Sequence, residues 1–128
     1  MPGVEVLLQA LEKARIKRCV VTNSNRYEVE LLRDSHPILQ SIPYWIVRED
    51  YDQPKPSPEC YEKAIQKFGK EGDQIVGFED SPRGLEALLG TSAKGIFVTE
   101  CFSKKEIKAL AHQLGKEFDH VSNFLALD

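Results

Sequence analysis

Glu79 and Asp80 stand side by side in Gly77-Phe78-Glu79-Asp80-Ser81-Pro82-Arg83-Gly84, directly after the apolar run Gln74-Ile75-Val76-Gly77-Phe78. Adjacent carboxylates at a strand end are poorly explained by packing, because unpaired charge there is costly. They suit a hard cation such as Mg²⁺, which one or two carboxylates hold while phosphate oxygens and water fill the remaining positions. The competing reading makes Asp80 or Ser81 a helix cap and leaves Glu79 solvated. A second candidate is Lys55 in Gln53-Pro54-Lys55-Pro56-Ser57-Pro58. The prolines stiffen this loop, and Pro56 excludes helix at the lysine. A lysine held this way offers a fixed positive charge to an anion, with less entropy lost than a free side chain would lose; the alternative is an ordinary exposed lysine before a helix. The third is Thr22-Asn23-Ser24, a hydroxyl followed by backbone amides at a helix start, which seats a phosphate oxygen or simply caps the helix.

Each of these segments must be carried by a strand exit, and the surrounding pattern supplies one. Residues 4–16 show the three-four apolar spacing of an amphipathic helix through Val4, Leu7, Leu8, Leu11 and Ala14. Cys19-Val20-Val21-Thr22 reads as a buried strand, followed by helix from Arg26 to Arg33. Tyr44-Trp45-Ile46-Val47 is strand-like, residues 49–58 form a polar loop, and helix runs from Glu59 to Phe68, stopping at Gly69. Strand over 74–78, helix over 83–89, strand over 95–98 and helix over 104–114 complete the alternation, with Val121 to Leu127 as a short closing strand. Strands alternating with helices predict an α/β fold, a Rossmann-like parallel sheet with helices on both faces and ligands at the carboxyl ends of its strands.

The 128 residues suit one domain, residues 1–128, with no linker or repeat dividing them. Lys plus Arg number 17 against 20 Asp plus Glu, a net charge of −3, so there is no general attraction for nucleic acid or anionic membranes. Any anion must be caught locally. No apolar run approaches a membrane span and the first residues lack a basic secretion start, so the expected location is cytoplasmic. Cys19, Cys60 and Cys101 are read as reduced thiols, Cys19 in a core strand, and His36, His112 and His120 as packing or surface residues.

Taken in order at three strand ends, Thr22-Asn23-Ser24, Lys55-Pro56-Ser57-Pro58 and Gly77-Phe78-Glu79-Asp80-Ser81 resemble the second, third and fourth motifs of the haloacid dehalogenase superfamily. The likeness is to its phosphatase and phosphomutase members, the β-phosphoglucomutase and phosphoglycolate phosphatase type, and covers residues 2 to about 100. The resemblance implies that Thr22, with the Asn23 amide, and Lys55 hold a transferring phosphoryl group. It implies further that the Lys55-Pro56 bond is cis, that Asp80 binds Mg²⁺, and that Glu79 is an additional ligand or stands just behind it. The implied substrate is a small phosphorylated metabolite.

The departure from that pattern is as informative. The family's opening strand ends in Asp-x-Asp-Gly-Thr, whose first Asp is the nucleophile, and these residues contain no such segment and no cap domain. The only Asp-x-Asp, Asp50-Tyr51-Asp52, precedes Lys55 and is expected to shape that loop. The missing strand is the central one, between those that carry Thr22 and Asp80. Those two must pair directly, leave a gap, or accept a strand from elsewhere, and open edges invite self-association. The expectation is therefore a partial core, the carboxyl-terminal part of a Mg²⁺-dependent phosphatase, inactive without the nucleophile; the alternative is a non-catalytic descendant that binds phosphate or protein. A receiver-type phospho-switch is disfavoured, because there the acidic cluster precedes the Thr and Lys.

Overall fold

The computed structural model describes residues 2–126. Helix α1 spans Val4–Lys13. It stops short of Ile16 because Arg15 takes a left-handed backbone conformation, φ 56°. Strand β1 is Cys19–Val21 and helix α2 is Arg26–Ser35, started by Asn25, whose Oδ1 accepts the Glu28 N–H at 2.9 Å. Strand β2, Tyr44–Ile46, leads through the proline-rich loop into α3, Glu59–Phe68. Strand β3, Val76–Glu79, is followed by α4, Pro82–Leu89, and β4 is Lys94–Val98. Helix α5, Lys104–Leu114, has the reciprocal Ser103–Glu106 cap at its start and left-handed Gly115 at its end.

All the strand pairs are parallel, as the alternation of helix and strand requires. The sheet, however, comes in two pieces: β1 pairs with β2, and β3, β4 and a last strand β5, Asp119–Val121, form a separate three-stranded sheet. Of the three possibilities for the missing central strand, the chain leaves the gap. Each piece has its own buried cluster. Ile46, Tyr51, Cys60 and Ala64 lie beneath the first, while Leu85, Phe97 and Leu110 lie beneath the second.

Two expectations are corrected. The closing strand β5 is Asp119–Val121, earlier than the apolar stretch Val121 to Leu127; that stretch instead begins a 3₁₀ turn at Phe124–Ala126, and Leu127 lies outside the described residues. The strand is fixed by its neighbour: Thr99 donates to the Val121 carbonyl from both its N–H, at 2.7 Å, and its hydroxyl, at 3.1 Å. Cys19 is in β1 but exposed rather than in the core, on a strand that has a partner along one edge only. All three histidines are exposed.

Candidate functional site

The loop between β2 and α3 is built to present Lys55. Asp50 accepts the Val47 N–H at 2.8 Å, and the Arg48 guanidinium donates to the carbonyls of Tyr51 at 2.7 Å and Asp52 at 2.9 Å. Glu59, in the first turn of α3, accepts the N–H groups of Asp52 at 2.6 Å and Gln53 at 3.2 Å. Asp50-Tyr51-Asp52 therefore shapes the loop, as its sequence context suggested. The Lys55-Pro56 peptide is cis.

Tyr51 ties this loop to the exit of β1. Its ring is 4% exposed, and its hydroxyl lies 2.7 Å from the Thr22 carbonyl and 2.6 Å from Asn23 Oδ1. Burial pushes this phenol up to about 12, so it remains a proton donor. Asn23 Oδ1 also accepts the Lys55 backbone N–H at 3.3 Å. Thr22 Oγ1 accepts the Ser24 N–H at 3.0 Å, which turns the chain toward α2. Thr22, Asn23 and the Lys55 backbone are thus drawn to one place, through a tyrosine that sequence reasoning had not singled out.

The Lys55 ammonium crosses the gap between the two sheets. It donates to the Val21 carbonyl of β1 at 3.0 Å and to Glu79 Oε1 of β3 at 2.5 Å, with side chains only 11% and 8% exposed. The Thr22 N–H bonds to Ile46 of β2, so the neighbouring Val21 carbonyl faces away from β2, and the lysine supplies the donor that a further strand would otherwise bring. Tyr61 of α3 completes the group. Its hydroxyl donates to Glu79 Oε1 and lies 3.3 Å from the lysine nitrogen, which sits 4.9 Å from the ring centre. Burial first, then the charge and hydrogen bond of Glu79, raise the Tyr61 phenol well above its ordinary range and keep it protonated. Gly84 of α4 makes room for this cluster, because a Cβ there would overlap the Glu79 carboxylate.

Glu79 is therefore neither solvated nor turned to an open metal position; its charge is met by Lys55. The cap of α4 is Ser81, whose Oγ accepts the Gly84 N–H at 3.1 Å, and Asp80 beside it is exposed. Among the described residues no group of three or more His, Cys, Asp or Glu side chains is arranged to hold a metal. The arrangement thus lacks an all-protein cage. An ion such as Mg²⁺ keeps several waters and needs only one or two carboxylates plus substrate oxygens, and Asp80 is the carboxylate of the pair open to solvent. Tyr51, Tyr61 and Gly84 were missed by sequence reasoning. The signal was faint: an aromatic one helical turn beyond the lysine's prolines, and a glycine five residues after Glu79.

Comparison with known proteins places these features in context. Residues 1–90 match the model of the haloacid dehalogenase-like hydrolase family. The chain is 33% identical over 107 residues to the "Probable pseudouridine-5'-phosphatase" of Drosophila melanogaster, covering 78% of this chain and 46% of that protein. It is 28% identical over 107 residues to (DL)-glycerol-3-phosphatase 2 of Arabidopsis thaliana, covering 78% and 44%. The chain thus spans just under half the length of these curated relatives. CbbY from Rhodobacter sphaeroides, solved in complex with phosphate, shares its fold with a TM-score of 0.77 at 23% identity, over 98% of this chain and 55% of that one.

Proposed function

Because the chain belongs to the haloacid dehalogenase-like hydrolase family, we propose that it is the carboxyl-terminal part of the core of a Mg²⁺-dependent phosphatase acting on a small phosphorylated metabolite. The observation that carries this reading is the nearly buried Lys55 ammonium, fixed at a strand exit beside Thr22 and Asn23 by a hydrogen-bonded loop. Lys55 and the Thr22–Asn23 turn hold the phosphoryl oxygens; Asp80 holds the metal, with Glu79 behind it. Bound there, Mg²⁺ would offset negative charge on the phosphoryl oxygens. The protein's own share is positioning and charge stabilisation.

Among the described residues no carboxylate is placed as a nucleophile. Asp50 is committed to the Val47 N–H and Asp52 lies on the exposed loop, so the chain alone binds phosphate without hydrolysing its esters. The test is a phosphate titration followed by ³¹P NMR, with and without Mg²⁺, alongside an aryl phosphate hydrolysis assay. Binding of phosphate is expected to weaken at least tenfold in Lys55→Met, and its Mg²⁺ dependence to vanish in Asp80→Asn. Turnover that disappears in Asp80→Asn would overturn the inactivity and make Asp50 and Asp52 the first nucleophile candidates. Phosphate binding indifferent to both substitutions would overturn the reading of the site.

A further inference from the structure

A lysine ammonium has three N–H groups to give. At Lys55 all three have acceptors: the Val21 carbonyl at 3.0 Å, Glu79 Oε1 at 2.5 Å and the Tyr61 hydroxyl oxygen at 3.3 Å. An arriving phosphate must displace one of them. The Val21 carbonyl is fixed by the strand, and the Glu79 contact is short and charge-assisted. The Tyr61 contact is the longest and its acceptor is neutral. Tyr61 also donates its own proton to Glu79 Oε1, which holds that carboxylate against the lysine as its counter-ion.

We propose that Tyr61 is a positioning residue that restrains phosphate binding at this site: its hydroxyl occupies the lysine proton that phosphate would use and holds Glu79 in competition with phosphate. The inference rests on the reading of Lys55 as the phosphate-holding cation. Removing the hydroxyl while keeping the ring acts in one direction through both contacts. It frees one N–H of a nearly buried ammonium and loosens its counter-ion, while the ring stays packed on the Ile46, Tyr51, Cys60 and Ala64 cluster.

The experiment is titration of inorganic phosphate into the 128-residue chain, Tyr61→Phe, Lys55→Met and the double variant, with far-ultraviolet circular dichroism to establish folding. Tyr61→Phe is expected to bind phosphate about fivefold more tightly, the equivalent of one neutral hydrogen bond. Lys55→Met abolishes that gain, so that Tyr61→Phe has no effect in the Lys55→Met background. Equal or weaker affinity in Tyr61→Phe, with binding still dependent on Lys55, would overturn this inference and leave the phosphate reading intact. Binding that ignores Lys55→Met, or no binding at all, would overturn both. The unsubstituted chain gives an independent readout. The Tyr61 ring ¹³Cζ resonance should move on phosphate addition as the hydroxyl loses the lysine, and a stationary Tyr61 beside a shifting Lys55 ammonium signal would count against the proposal.

Discussion

In the half built on β1 and β2, the buried residues include a tyrosine whose hydroxyl ties two loops together beyond the ends of two paired three-residue strands. In the half built on β3, β4 and β5, the centre is Phe97, fully buried, with the rings of Phe102 and Phe118 at 5.1 and 6.0 Å and Leu85 and Leu110 packed around it. The first half positions polar groups and the second supplies apolar mass. Thr22, Asn23 and Lys55, which we propose hold phosphate, belong to the polar half, and Glu79 and Asp80 to the apolar one. What joins them at the strand ends is Lys55, reaching from the Val21 carbonyl to Glu79, together with the Tyr61 hydroxyl that donates to the same carboxylate. Directional bonds hold loops to defined geometry, whereas apolar contacts stabilise without specifying direction.

The largest effect on this comparison should come from cutting the bridge. Lys55→Met leaves Glu79 charged and nearly buried, with Tyr61 as its remaining donor in this cluster, and should lower stability by about 3–5 kcal/mol. The double variant Lys55→Met, Glu79→Leu replaces the pair by apolar groups and should recover most of the loss, because it removes the charge along with its partner. Urea unfolding measures both. Equal losses in the single and double variants would show that packing, and not the ion pair, joins the halves.

Gly84→Ala ranks next. It acts from the apolar half, on the face of α4 where a Cβ would overlap the Glu79 carboxylate. The carboxylate must shift away from Lys55 or the helix must move, and overpacking of this kind destabilises by about 1–3 kcal/mol. The signature distinguishing it from an ordinary core change is a faster-exchanging Lys55 ammonium in ¹⁵N NMR. An unchanged ammonium signal with the same stability loss would confine the effect to the apolar half.

The contrast between the halves also explains what the residues revealed beforehand. Helices α3 and α5 were legible to the residue, because amphipathic spacing ends at Gly69 and Gly115 and both signals are local. The three motif segments were legible because strand-to-loop transitions are local too. The closing strand was not, since Asp119-His120-Val121 has no apolar run and forms through pairing with Ile96, Phe97 and Val98. At the site, the cost of unpaired carboxylates after an apolar strand was read as a demand for a hard metal cation, whereas the partner of Glu79 in the fold is a lysine. Lys55 stands 24 residues earlier, a distance that no local pattern spans, and Asp80 stays at the surface. Tyr51 and Tyr61 were illegible for the same reason. A tyrosine on an apolar face looks like packing until the tertiary fold gives its hydroxyl a partner.

The smallest predicted effect tests whether the polar half can be loosened alone. Glu59 has its pKa held below the usual carboxylate range, chiefly by the Asp52 N–H and then by the Gln53 N–H and nearby Lys63 and Arg48, with desolvation opposing. A carboxyl whose folded pKa is depressed adds stability above its unfolded pKa, and that contribution is lost as pH falls through the folded value. Protonation should therefore release the Asp52 and Gln53 amides, and with them the loop that presents Lys55, on the acid side of the ordinary carboxylate range. The interstrand bonds of β3, β4 and β5 join backbone groups, and the Lys94–Asp119 ion pair between β4 and β5 is too exposed to contribute much, so their hydrogen exchange should be largely unaffected over that interval. An NMR pH titration reads both: a joint step at the Asp52 and Gln53 amides, absent in Glu59→Gln, with protection retained in β4. If β4 loses protection in the same step, the two halves open as one unit, and the division between a polar positioning half and an apolar supporting half fails at its weakest point.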